Sequence, residues 1–131
     1  MKNTPTSSKT APEKKRILIV DDHPVFRHGI QTLINAENDL VICGDAPSAP
    51  AGLEAMRTLK PDVALLDISL PGTNGIELIK LMKAEQPKLP ILILSMHDES
   101  LYALRALRAG ALGYVMKAEA LNQVVTAIRR V

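Results

Sequence analysis

Tryptophan is absent, cysteine occurs once, and the aromatic residues are Phe26, Tyr102 and Tyr114 alone. So few rings leave little for base stacking, which argues against single-stranded nucleic-acid binding. Cys43 has no partner for an internal disulfide, so a reducing, cytoplasmic setting is expected. No apolar run approaches the ~18 residues of a membrane span, and the first ten residues lack the apolar stretch of a secretory signal. Strong charge of either sign is missing too. The formal net charge is +2, but residues 1–16 carry Lys2, Lys9, Lys14, Lys15 and Arg16 against Glu13, leaving the other 115 residues at −2. A slightly acidic body behind a short basic tail is a poor match for a phosphate backbone, so direct DNA binding by this chain is not expected.

What is present is alternation. Residues 1–13 are polar, proline-containing and aperiodic, and are expected to form a disordered tail ahead of one domain over 14–131. Short aliphatic runs follow at 17–20, 40–43, 62–66, 90–94 and 112–115, each apolar at consecutive positions, as strands covered on both faces require. Amphipathic stretches separate them. Residues 24–36 carry Val25, Phe26, Ile30, Leu33 and Ile34 behind a first-turn proline. Residues 49–59 start behind a capping Ser48 and present Leu53, Met56 and Leu59. Residues 74–84 offer Ile76, Ile79, Leu81 and Met82, and 99–108 offer Leu101, Leu104 and Leu107 before Gly110 as a left-handed stop. Residues 118–130 offer Leu121, Val124, Val125 and Ile128. Five β/α units predict an α/β fold with a doubly wound, five-stranded parallel sheet.

In such sheets, ligands bind beyond the carboxyl ends of the strands. Polar residues concentrate there: Asp21 and Asp22 after strand one, Asp67 after strand three, Ser95 after strand four and Lys117 past strand five. Three carboxylates crowded together repel unless one is protonated or a cation sits among them. An oxygen-only donor set favours Mg²⁺ over zinc, and His23 and His97 lack a second His or Cys at ligand spacing, so both are read as loop residues. With the acidic pair holding the metal, Asp67 is left as a nucleophile for a phosphoryl group, Lys117 as the balancing ammonium and Ser95 as a hydroxyl donor. Rival chemistries lack their signatures. An aspartyl phosphatase of the haloacid dehalogenase class wants a second Asp where Ser69 stands, and nucleotide-binding folds want a glycine-rich loop where the chain reads DDHP.

The segments ILIVDDHPVFRHGI, PDVALLDISLPGTNGIEL, PILILSMHDES and ALRAGALGYVMKA resemble the receiver domain of bacterial two-component response regulators, of the NarL/FixJ type with a LuxR-like output domain. The likeness runs from about residue 15 to 131. It implies a flavodoxin-like receiver fold with strand order 2-1-3-4-5. It also implies Asp67 as phosphoacceptor, with Asp22, Asp67 and the Ser69 backbone carbonyl as direct Mg²⁺ ligands and Asp21 acting largely through water. Ser95 and Lys117 match the family's hydroxyl and lysine, and Tyr114 its aromatic switch, turning inward when Ser95 moves. Implied partners are a sensor histidine kinase and a second copy of the chain, in a weak homodimer through the fifth helix with its terminal Arg129 and Arg130. The output would be a DNA-binding transcriptional domain beyond Val131; the alternative is a stand-alone receiver working through protein contacts. As a signalling domain it would catalyse only its own phosphorylation and dephosphorylation. One departure stands out: many receivers follow the lysine with a cis proline, but here Ala118 follows Lys117, where a cis bond costs about 3 kcal/mol.

Overall fold

A computed structural model describes residues 13–70, 75–95 and 100–131. The expected tail therefore lies almost wholly outside the described residues, as do His97 and the PGTN segment after Leu70. The strands are β1 (Lys15–Val20), β2 (Leu40–Ala46), β3 (Val63–Asp67), β4 (Ile91–Ser95) and β5 (Gly113–Met116). They form one parallel sheet in the order β2-β1-β3-β4-β5, as the resemblance implied. Helices α1 (Pro24–Asn35), α2 (Ala49–Leu59), α3 (Gly75–Glu85), α4 (Ser100–Ala109) and α5 (Ala120–Arg130) cover it. Among the described residues, no helix is long and apolar enough to cross a membrane.

Because strand side chains alternate between faces, each consecutive aliphatic run feeds two cores. Leu18, Val20, Ala64, Leu66, Ile91 and Ile93 pack with α2, α3 and α4, while Ile17, Ile19, Val63, Leu65, Leu92 and Leu94 pack with α1 and α5. Strand β2 runs three residues past the expected stop at Cys43. Its register with β1 slips by one residue, Ile17 pairing with Ile42 and Leu18 with Gly44, so Cys43 is the extra residue of a bulge. Cys43 is half-buried, and that burial raises its thiol pKa. Two local signals hold as read. Ser48 Oγ accepts from the Ala51 amide at 3.3 Å at the head of α2, and Gly110 ends α4 at φ +122°.

Helix rotation is where the reading fails. Leu104 and Leu107 of α4 are nearly half exposed, while Ala106 is buried and Ala109 packs beside it. The alanines let the α4 backbone approach the core more closely than leucines would, which turns the helix by about one residue. In α5 the buried face is Ala120, Val124 and Ile128, with Leu121 outside, and in α3 Leu78 is buried in place of Leu81. Val25 lies open to solvent at the head of α1. A 3₁₀ turn, Lys117–Glu119, precedes α5, so the regular helix starts two residues later than expected. Arg129, expected at an interface, is occupied within the chain: it donates to Asp39 at 2.7 and 3.0 Å and to Glu37 at 2.7 Å.

The end of β3 is clamped by α3. The Gly75 amide donates to the Ile68 carbonyl at 3.0 Å, and a Cβ at Gly75 would stand 2.7 Å from Ile68 Cα and 3.0 Å from the Asp67 carbonyl oxygen. Both obstacles are backbone and cannot swing away. Gly75→Ala should therefore destabilise the fold by about 1–3 kcal/mol, as overpacking does. A urea midpoint equal to that of the parent would contradict the close approach.

Candidate functional site

Asp67 is the last residue of β3 and pairs with Leu94 of β4, one residue past the end of the β1–β3 ladder at Leu66. Asp21 follows β1, and its amide donates to the Ala46 carbonyl of β2 at 2.9 Å, which turns the β1 exit toward the rim. Lys117 follows β5. Four of the residues read from the sequence meet here: Asp21 and Asp67 have no exposed surface, Lys117 is 7% exposed and Asp22 is partly open. The Lys117 ammonium lies 2.8 Å from Asp21 Oδ2 and 3.3 Å from Asp67 Oδ2, with the Phe26 ring beneath it at 4.6 Å. That ring face favours the cation and shields it from water.

Three further placements complete the site. The Ser69 amide donates to Asp67 Oδ1 at 3.0 Å, leaving Oδ2 as the oxygen that faces the lysine. Ser95 is buried at the end of β4, beside Met116 of β5. Tyr114 is half-buried against the core on the α2–α4 side, and strand alternation sets Ser95 on that same side, opposite Asp67. The Lys117–Ala118 bond is trans, since no cis peptide occurs among the described residues.

His23, read as a loop residue, does lie in the loop between β1 and α1; what the sequence did not show is its neighbours, Nδ1 sitting 3.1 Å from Asp21 Oδ1, 3.3 Å from Asp22 Oδ1, 3.5 Å from Asp67 Oδ2 and 2.8 Å from Lys117 Nζ. The His23 amide also donates to Asp21 Oδ1 at 2.7 Å, and this tight turn swings the imidazole over the acids. Arg27 was missed as well. It donates to the Asp21 carbonyl and pairs with Asp45 at 2.9 Å, pinning the β1–α1 loop to the end of β2. One helical turn past the proline of DDHP, its side chain can reach back to the loop.

The electrostatics follow from this crowding. Burial raises the Asp67 pKa above the ordinary carboxylate value; the Ser69 amide and Lys117 pull it down, and neighbouring Asp21 pushes it up again. With a raised folded pKa, the native state binds the Asp67 proton more tightly than the unfolded chain does. The ionised group therefore costs stability above that raised pKa, and the cost disappears as pH falls through it. Asp67→Asn should raise stability near pH 7 by on the order of 1 kcal/mol, a gain that vanishes on acidification. A thermal-melt series across pH showing no gain would refute it.

Whether the rim suits a cation is answered by its unsatisfied oxygens. Asp21 Oδ2 and Asp22 Oδ1 are buried and accept no hydrogen bond; for Asp21 Oδ2 the Lys117 contact is an ion pair lying off the hydrogen-bond direction. One donor atom from each of Asp21, Asp22, His23 and Asp67 lies within 4.8 Å of the others. The cluster could hold a metal ion.

A doubly wound α/β domain with clustered acids and a buried lysine at the strand ends defines a class of phosphoryl-handling signalling domains. Residues 17–129 match the response regulator receiver domain, and the chain belongs to that family. It is a receiver domain of two-component response regulators. It is 33% identical over 121 residues to a probable transcriptional regulatory protein, NarL, of Mycobacterium tuberculosis, covering 92% of this chain and 56% of that protein. With response regulator GacA of Pseudomonas viridiflava it shares 36% identity over 116 residues, 88% of this chain and 54% of that one. The chain thus spans about half the length of these relatives. Among solved structures, a LuxR-family two-component response regulator from Aurantimonas sp. SI85-9A1 superposes with a TM-score of 0.85 at 36% identity, covering 90% of this chain and 84% of that one. The receiver domain of the M. tuberculosis NarL superposes equally well, at 0.85 and 33% identity, over 91% of this chain and 96% of that domain.

Proposed function

We propose that Asp67 accepts a phosphoryl group from the phosphohistidine of a sensor kinase, or from a small donor such as acetyl phosphate, and that the modified domain, over residues 14–131, controls a DNA-binding output region. The observation that carries this is Asp67 Oδ2, buried at the rim between the Lys117 ammonium and the acids of the β1 exit. The oxygen attacks phosphorus as the donor's P–N or P–O bond breaks, and the leaving group takes the electron pair and a proton. Lys117 stands where it can balance the phosphoryl oxygens, and Ser95 supplies a hydroxyl from the neighbouring strand. Hydrolysis reverses the state: water attacks phosphorus and returns the Asp67 carboxylate and phosphate. Asp22, Asp67 and the Ser69 carbonyl would hold Mg²⁺ directly, with Asp21 acting through water. When bound, Mg²⁺ neutralises the acids and offers positive charge to the incoming phosphoryl oxygens.

A phosphoryl group that draws on Ser95 acts on the sheet face shared with Tyr114, so the change reaches β5 and α4 before other surfaces. DNA contact then belongs to the output region, in keeping with relatives named as transcriptional regulators and with the mild charge of this domain. The test is intact-mass spectrometry after acetyl phosphate treatment. One phosphoryl group should appear with Mg²⁺ and none with excess chelator; full labelling without the metal would contradict the reading. Sedimentation of the same two samples tests a weak homodimer through α5, strengthened by phosphorylation, and identical masses would remove it.

A further inference from the structure

Helices α3 and α4 pack side by side and leave an open groove of about 510 Å³ between them. Ile76 and Ala109, which pack against the core, form its floor, and Lys80, Tyr102, Arg105 and Arg108 form its walls. Its charge is the reverse of the domain's. The residues after 16 sum to −2, yet in the groove three cations meet one carboxylate, Glu77, which already lies 3.6 Å from Lys80. Other arginines are occupied within the chain: Arg16 donates to the Leu59 and Lys60 carbonyls, Arg27 pairs with Asp45, Arg57 with Glu85, and Arg129 with Glu37 and Asp39. Arg105 and Arg108 are exposed and pair with no carboxylate among the described residues. Arg108 stands in the last turn of α4, where a cation suits the helix carbonyls, but Arg105, one turn earlier, has no such reason.

What Arg105 does have is the Tyr102 ring, 5.9 Å from its guanidinium and 41% exposed. Stacking on a ring face uses none of the guanidinium N–H donors, so a steadied fork of donors stays available for a carboxylate. Tyrosine and arginine over an apolar floor is the composition that carries most binding energy in protein interfaces. We propose that the α3–α4 groove docks an acidic segment of a partner protein, with carboxylates on Arg105 and Arg108 and an apolar side chain seated on Ile76, Ala109 and the Tyr102 ring. Charge excludes the nearer candidates. Residues 1–12 of the chain itself carry Lys2 and Lys9 and no acid. A second copy fits no better, because Glu37 and Asp39 are already taken by Arg129, and Glu54 and Glu85 by Arg57. Nucleic acid would gain from the cations, but one ring on an acidic body offers little to a run of bases or phosphates. The groove shares no residue with the rim around Asp67.

Amide NMR spectra of the chain, in chelator and without a phosphodonor, test this by titration with a short Glu-rich peptide carrying Leu and Phe at helical spacing, and with its Lys-for-Glu counterpart. The Glu peptide should shift Ile76, Lys80, Tyr102, Arg105 and Arg108 and leave α5 unmoved, and the Lys peptide should shift none of them. Arg105→Glu and Arg108→Glu should each weaken the Glu peptide by about ten-fold or more. Arg130→Glu, the same charge change on an exposed residue of α5, should weaken it by no more than about two-fold. All three arginines are exposed, so the variants should keep the fold, which the same spectra read. Equal losses in Arg130→Glu and the groove variants, shifts centred outside the groove, or no shift at all overturn the site. Tighter binding of a single-stranded oligonucleotide through the same amides would overturn the acidic-segment assignment by making the occupant a nucleic acid.

Discussion

Asp67→Ala is expected to take up no phosphoryl group from acetyl phosphate under conditions that label the parent, a fall in rate of at least about two orders of magnitude. The other acids of the rim cannot substitute. Asp21 is buried with Oδ1 accepting the His23 amide and Oδ2 against the Lys117 ammonium, so neither oxygen is free to approach phosphorus. Asp22 is more open, but it lies past the end of β1 and outside the sheet ladders, whereas Asp67 is in register with Leu94 of β4. Phosphoryl transfer depends chiefly on positioning and charge balance, and Asp67 presents Oδ2 at the strand end 3.3 Å from the Lys117 ammonium while the Ser69 amide fixes Oδ1. Intact mass before and after donor treatment reads the result directly. An adduct of parental yield on the variant would move the phosphoacceptor elsewhere.

The parts of this protein that could be read without coordinates are those governed by periodicity and by strand ends. Runs such as ILIV and ILIL commit a residue to each face of a sheet, and a carboxylate or lysine following such a run lands on the rim wherever the strands lie parallel. That is why Asp21, Asp22, Asp67 and Lys117 could be grouped across nearly a hundred residues. Helix faces were harder. In α4 the leucines and the alanines each trace an equally good stripe, displaced by one residue, and hydrophobicity favours the wrong one because closeness of approach, not apolar area, decides which faces the sheet. The loop position of His23 was legible, but its approach to the acids was not, because its neighbours come from three strand ends and the turn set by Asp21 and the His23 amide brings Nδ1 over them. Arg27 has no signature at all apart from a reach that depends on the bend at Pro24.

Lys117→Met, which keeps the length and apolar stem of the side chain but removes its charge, should destabilise the metal-free protein by about 3–5 kcal/mol, the usual cost of leaving buried partners uncompensated. Asp21 and Asp67 have no exposed surface, and Lys117 ion-pairs with both carboxylates. Loss of the cation–π contact with Phe26 adds a smaller part. Protonation limits the damage. Lys117 is one of the groups holding the Asp67 pKa down, so its removal drives that pKa further up. The added penalty is therefore present above the raised value and fades as pH falls through it, so the gap between variant and parent should narrow on acidification. A divalent cation offers the other route to neutrality. Mg²⁺ should stabilise the variant by more than it stabilises the parent, because in the variant it meets acids with no ammonium competing for them. Urea unfolding at neutral and mildly acidic pH, with Mg²⁺ or with chelator, separates these effects. A loss below about 1 kcal/mol at neutral pH, or an equal response of both proteins to Mg²⁺, would mean that the buried ammonium is not what holds the acids together.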